Sequence, residues 1–193
     1  ASGGKERAIA ASVAKSPRAD NIYCEPGNAG IAEYAECVDI GAMEFEKLAE
    51  FADIFCEKNV FSIEDSEYYL NQAKKLGFRL KIHADEMYPL GGGELAARAG
   101  AVSADLLLKA SDEGIRQMAE AGVISTLLPA TAFCLKEEYA PARKMIDSGC
   151  AVALASDLNP GSCFTNSIPL LIALGCIYMN MSIEEVITAL TIN

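Results

Sequence analysis

The sequence predicts an α/β protein built from parallel βα units, closed as a barrel or laid out as a doubly wound sheet. Three observations carry this expectation. Short apolar runs alternate with segments of helical period about every 20 residues from residue 53 onward. The helical segments carry recognisable start and stop signals. The chain has 193 residues, 51% of them hydrophobic, enough for a real core, and no low-complexity linker divides it.

Near the N-terminus, "DNIYCEP" and "AECVDIG" are short apolar runs bounded by Pro and Gly and read as strands. "GKERAIAASVAKS" and "MEFEKLAEFADIFCE" repeat apolar residues at helical spacing and read as helices. "SIEDSEYYLNQAKKLG" opens on a Ser cap with acids in its first turn and closes on Lys-Lys-Gly, so it is a helix. "FRLKIHAD" follows as a buried strand, "GGGELAARAG" as loop and helix, "AVSADLLL" as a strand and "SDEGIRQMAEAG" as a capped helix. "VISTLLP", "APARKMIDSG" and "CAVALASD" read as strand, helix and strand. "SIPLLIALGCIYMN" and "SIEEVITALTI" are the last two helices, the second with the Ser182 to Glu185 spacing of a capping box.

Composition narrows the function classes. A net charge of −11 with scattered basic residues argues against nucleic-acid backbones and anionic membranes as partners. Seven cysteines with no Cys-x-x-Cys pair look like reduced thiols rather than a disulfide framework. There is no signal pattern at the N-terminus, and "SIPLLIALGCIYMNM" is too short to span a bilayer. The expectation is a soluble, cytoplasmic protein acting on a small molecule, with neither nucleic acid nor membrane as partner.

Parallel βα folds place their chemistry at the C-terminal ends of strands. His83, the chain's one histidine, sits at such an end, with Asp85 and Glu86 in the turn that follows. A second polar cluster, "ASDLNPGSC", follows the strand "CAVAL" and supplies Asp157, Asn159, Gly161 and Ser162. An imidazole from one strand end and a carboxylate from another suit a divalent ion such as Zn²⁺ or Fe²⁺, and a nearby Glu suits proton transfer to and from water. Spacing alone leaves a plainer alternative open: a hydrogen-bonded strand-end histidine, and a turn favoured by Asp, Asn, Pro and Gly. The triple glycine at 91 to 93 reads as a tight bend that carries the chain away from His83.

From about residue 52 onward, "FADIFCEKNVFS", "LKIHADEMYPLGGGELA", "GAVSADLLLKASDEGI", "LLPATAFCL", "YAPARKMIDSG" and "VALASDLNPGSCFTNSIPLLIALGC" resemble imidazolonepropionase, an amidohydrolase-superfamily enzyme of histidine degradation. The resemblance implies a metal-containing (β/α)₈ TIM barrel, here partial, and the opening of 4-imidazolone-5-propanoate to N-formimidoyl-L-glutamate. It implies His83 and Asp157 as ligands of one Zn or Fe ion. It implies Glu86 as the catalytic proton carrier and a substrate contact, and Asn159, Gly161 and Ser162 as substrate-binding residues. Two departures stand out. The family's "SADH" reads "SADL" here, with Leu106 in place of a catalytic histidine, and a chain with one histidine has no His-x-His ligand pair. Two protein ligands fall short of the three that a zinc site normally needs.

Residues 1–50 resemble a different family. "SGGKERA" and "EPGNAGIAE" are similar to the start of phosphoribosylamine-glycine ligase, which implies a Rossmann-like half-fold and a glycine turn offering N–H groups to a phosphate. The expected organisation is thus a ligase-like segment, 1–50, joined near "EKLAEFADIF" to an imidazolonepropionase-like partial barrel, 51–193. Open strand edges in such a barrel predict a homo-oligomer or poor solubility. Three functions follow: a metal-dependent hydrolase impaired in this chain, a catalytically silent chimeric scaffold, or a phosphate binder using Ser2 to Gly4 and Asn28.

Overall fold

The computed structural model describes residues 11, 14–15, 23–24, 29–30, 32–37 and 50–193. The chain divides into two compact units, Ala1–Glu50 and Phe51–Asn193. In the first, β1 (Tyr23–Cys24) pairs in parallel with β2 (Glu36–Cys37), within the two runs read as strands. Of the helix expected over "GKERAIAASVAKS" only residues 11, 14 and 15 are described, the first helical and the other two in a turn, and the phosphate-binding positions Ser2 to Gly4 and Asn28 lie outside the described residues.

The second unit is one five-stranded parallel sheet in the order β3-β4-β5-β6-β7: Phe51–Cys56, Arg79–Ala84, Ser103–Leu106, Ile124–Leu127 and Val152–Leu154. Between the strands run α1 (Ile63–Lys75), α2 (Gly92–Ala99), α3 (Asp112–Ala121), α4 (Pro129–Leu135) and α5 (Ala142–Asp147), and after β7 come α6 (Ile168–Tyr178) and α7 (Ile183–Thr191). Strand order equal to sequence order is what successive right-handed βα crossovers produce, and it is the run of a (β/α)₈ barrel wall. The fold is a partial barrel of this kind.

The caps are where the sequence places them. Ser62, Ser111, Ser167 and Ser182 each accept from a backbone N–H three residues on, and Glu185 returns a bond to the Ser182 N–H to complete the capping box. Two readings are corrected. Phe51–Cys56 is a strand, although the apolar spacing of "MEFEKLAEFADIFCE" reads as helical. Its side chains alternate: Ala52, Ile54 and Cys56 are buried, while Phe51 and Asp53 are exposed and Phe55 is half-buried. In six residues both periods fit, and pairing with β4 decides for the strand. The second correction is α4, a short helix that opens on Pro129, the last residue of the run read as a strand, and continues through residues to which the sequence reading assigned no element.

Alternation along the strands separates two faces. Ile54, Leu80, Ile82, Ala104, Leu127, Val152 and Leu154 belong to the main core, packed with Leu70, Leu95, Ile115, Met118 and Met145 from the helices. The other face carries polar groups. The register sets Phe55, His83, Asp105 and Thr126 side by side, with Asp53, Lys81 and Ser103 one step earlier. That face, at its C-terminal end, holds the candidate chemistry.

Candidate active site

His83 ends β4. Its Nδ1–H donates to Asp53 Oδ2 at 2.9 Å, diagonally across the β3–β4 pair, and the Phe55 ring meets the imidazole edge-on at 6.3 Å between centroids. The bond to Asp53 raises the His83 pKa above the ordinary histidine value; burial opposes it, and the charges of Asp53, Asp105 and Asp157 add to it. A parallel diagonal links Lys81 Nζ to Asp105 Oδ2 at 3.1 Å, with Ser103 Oγ donating to Asp105 Oδ1 at 2.9 Å. Asp105 is buried and satisfied by these partners.

The loop after β4 is held by two buried carboxylates. Asp85, in a left-handed conformation at φ 49°, accepts from the N–H groups of Leu90, Gly91, Gly92 and Gly93 at 2.9–3.1 Å. Gly91, the N-cap of α2 at φ 89°, offers no side-chain cap, so Asp85 caps this helix from across the loop. Glu57, fully buried beyond β3, accepts from Met87 N–H at 2.9 Å and Tyr88 N–H at 3.4 Å. The triple glycine therefore bends the chain as expected, and it also presents N–H groups to Asp85.

Glu86 lies between these two anchors. Burial pushes its carboxyl above the usual range, the charges of Glu57 and Asp157 push it the same way, and His83 opposes them. Glu86 thus shares one electrostatic neighbourhood with His83 and Asp157. An acid whose folded pKa is raised contributes stability that is fully present below its unfolded pKa and is lost as pH rises through the folded value. Glu86→Gln should therefore raise the melting temperature at neutral pH, by an amount that vanishes below the ordinary glutamate range. Equal melting temperatures at both pH values would remove the desolvated carboxyl.

Asp157 follows β7 at φ 54°, and its Oδ2 accepts from Thr131 Oγ1 at 2.9 Å. Thr131 is fully buried on α4, so the helix absent from the sequence reading positions a candidate ligand. Asn159 organises the next turn. Its Oδ1 accepts from the N–H groups of Gly161 and Ser162 at 2.8 Å, while its Nδ2 donates to the Asp157 carbonyl and to Ser162 Oγ, both at 2.8 Å. In this state the three substrate-binding candidates bind one another. Cys163 beside them is buried, and burial raises its thiol pKa, which disfavours a nucleophilic thiolate.

Leu106 ends β5 at φ 79°, and Leu107 follows at φ 58°. Histidine enters this backbone region more readily than leucine. Leu106 is buried against Leu108, Leu128 and Ala132. Among the described residues, no group of three or more His, Cys, Asp or Glu side chains is arranged to hold a metal ion. His83 Nε2 and Asp157 Oδ1 are two available donors, so the residues described here do not make a complete centre.

The chain is 67% identical over 147 residues to an imidazolonepropionase of Bacteroides thetaiotaomicron, covering 76% of this chain and 35% of the relative. Three quarters of this chain is thus similar in sequence to part of imidazolonepropionase. The enzyme of that name from Clostridium tetani is 66% identical over 148 residues, covering 77% of this chain and 35% of the relative. The imidazolonepropionase-like part therefore corresponds to little more than a third of those enzymes. Residues 1–66 match the family described as phosphoribosylglycinamide synthetase, N domain, in keeping with the N-terminal resemblance. Among solved structures, guanine deaminase from C. acetobutylicum with bound guanine superposes with a TM-score of 0.54 at 18% identity, over 68% of this chain and 38% of that one. An adenosine deaminase from Xanthomonas campestris with bound zinc gives 0.50 at 16% identity, over 63% and 30%. At such identities the two share the fold. Among the described residues, no helix is long and apolar enough to cross a membrane.

Proposed function

We propose that this chain carries one corner of an imidazolonepropionase-type hydrolytic site and lacks a complete metal centre. The observation that carries the reading is the placement of His83 and Glu86 at the C-terminal end of β4 and of Asp157 just after β7 in the same sheet, within a segment 67% identical to an imidazolonepropionase. The reaction of that family adds water across a ring C–N bond of 4-imidazolone-5-propanoate and gives N-formimidoyl-L-glutamate. Glu86 is the group that would take a proton from the attacking water and return it to the departing ring nitrogen, and burial, which raises its carboxyl above the usual range, makes it a stronger proton acceptor for that exchange. Gly161 and Ser162 N–H groups, now satisfied by Asn159, would turn to the substrate carboxylate. A divalent ion, Zn or Fe, belongs to this reading with His83 and Asp157 as its ligands; two donors support weak binding only.

Metal analysis of chain purified without chelator tests this. We expect no stoichiometric metal after dialysis, weak binding of added Zn²⁺ that is lost in Asp157→Ala and His83→Ala, and no ring opening by the chain alone. Near-stoichiometric Zn or Fe surviving dialysis, and absent from Asp157→Ala, would overturn the incomplete centre. Zn²⁺ binding indifferent to both substitutions would favour a second reading, a catalytically silent α/β scaffold. That reading draws on Leu106, which occupies the place of the family's catalytic histidine and transfers no proton.

A further inference from the structure

We propose that Asp53 is a positioning residue that fixes His83 in the Nδ1–H tautomer, leaving the Nε2 lone pair free at the C-terminal end of the sheet. The register sets Asp53 opposite Lys81 and His83 opposite Phe55, so the carboxylate reaches the imidazole along the diagonal and meets Nδ1 at 2.9 Å. A neutral imidazole carries one N–H, and a carboxylate acceptor at Nδ1 holds the proton there. Among the described residues nothing hydrogen-bonds Nε2. The other acid one register step along, Asp105, is occupied by Lys81 and Ser103, and Asp157 Oδ2 by Thr131, so among the described residues Asp53 is the carboxylate within hydrogen-bond distance of the ring. Phe55, edge-on to the imidazole, limits the ring's rotation. A carboxylate behind a histidine is the arrangement that fixes which nitrogen serves as ligand or base.

The tautomer itself is independent of the hydrolase reading, and its consequence for metal binding rests on that reading. One histidine makes the test direct, because a long-range ¹H–¹⁵N spectrum of the metal-free chain contains one imidazole to interpret. At alkaline pH, where the ring is neutral, we expect a protonated Nδ1 and an unprotonated Nε2. Asp53→Ala should move the ring toward the Nε2–H form that free imidazole side chains prefer. Asp53→Asn, whose carbonyl oxygen still accepts, should retain Nδ1–H. Affinity for added Zn²⁺ should fall about 10-fold or more in Asp53→Ala and recover in Asp53→Asn. An Nε2–H ring in the unsubstituted chain, or a tautomer unchanged in Asp53→Ala, would overturn the proposal. A tautomer that shifts while Zn²⁺ affinity stays constant would uphold Asp53 as the positioning residue and count against His83 as a ligand.

Discussion

Asp85→Ala is expected to lower the unfolding free energy by about 4 kcal/mol, the larger part from buried N–H groups left without an acceptor. The carboxylate gathers four backbone donors, and they differ in what replaces it. The bonds from Leu90 and Gly91 are part-buried, so water can take over there. Those from Gly92 and Gly93 are buried, and each orphaned group costs about 1–3 kcal/mol. Position 85 also sits at φ 49°, which aspartate tolerates and alanine does not, adding about 1 kcal/mol. Asp85→Asn separates these contributions. It keeps one acceptor oxygen and the tolerance for the left-handed backbone, but its amide meets the Gly93 N–H that Oδ2 now accepts, so a cost of about 1–2 kcal/mol is expected. Urea unfolding with unchanged m-values gives both numbers. A loss below about 1 kcal/mol in Asp85→Ala would mean that water reaches all four donors.

The contrast between Asp85 and Asp53 shows what sequence does and does not make legible. Apart from α4, the order of strands and helices from residue 62 onward follows from Ser caps, terminal glycines and apolar period, because these are local signals that pairing does not override. Where six residues satisfy both periods, as in Phe51–Cys56, only the register against β4 decides, and register is not local. The candidate residues at strand ends, His83, Glu86 and Asp157, were legible by position and by resemblance. Their supports were not. Asp53 reaches His83 across a strand pair, Thr131 reaches Asp157 from a seven-residue helix opened by proline, and Glu57 is a buried acid among surface acids of the same composition. Each of these contacts joins segments that are 26 or more residues apart, and no spacing rule spans that distance.

Gly92→Ala should destabilise the chain by about 3 kcal/mol, through lack of space rather than backbone conformation. A Cβ at this position would stand 2.5 Å from the Ala84 Cβ and 3.2 Å from the Ala84 Cα. Ala84 is fully buried at the end of β4, beside His83, and it has no flexible side chain that can move aside. The first turn of α2 must then separate from the strand end, which also draws the Gly92 and Gly93 N–H groups off Asp85. Gly122→Ala is the matched control: at φ 69° with nothing within 4 Å of the added carbon, it carries a conformational cost of about 1 kcal/mol and leaves the site untouched. The two variants therefore differ in where the damage falls. In Gly92→Ala the His83 imidazole signals should shift together with the loss of stability, and in Gly122→Ala stability should fall while those signals stay in place. Equal destabilisation with unmoved His83 signals in both would mean that α2 yields without disturbing β4, and that the close contact between Gly92 and Ala84 does not set the position of the strand end.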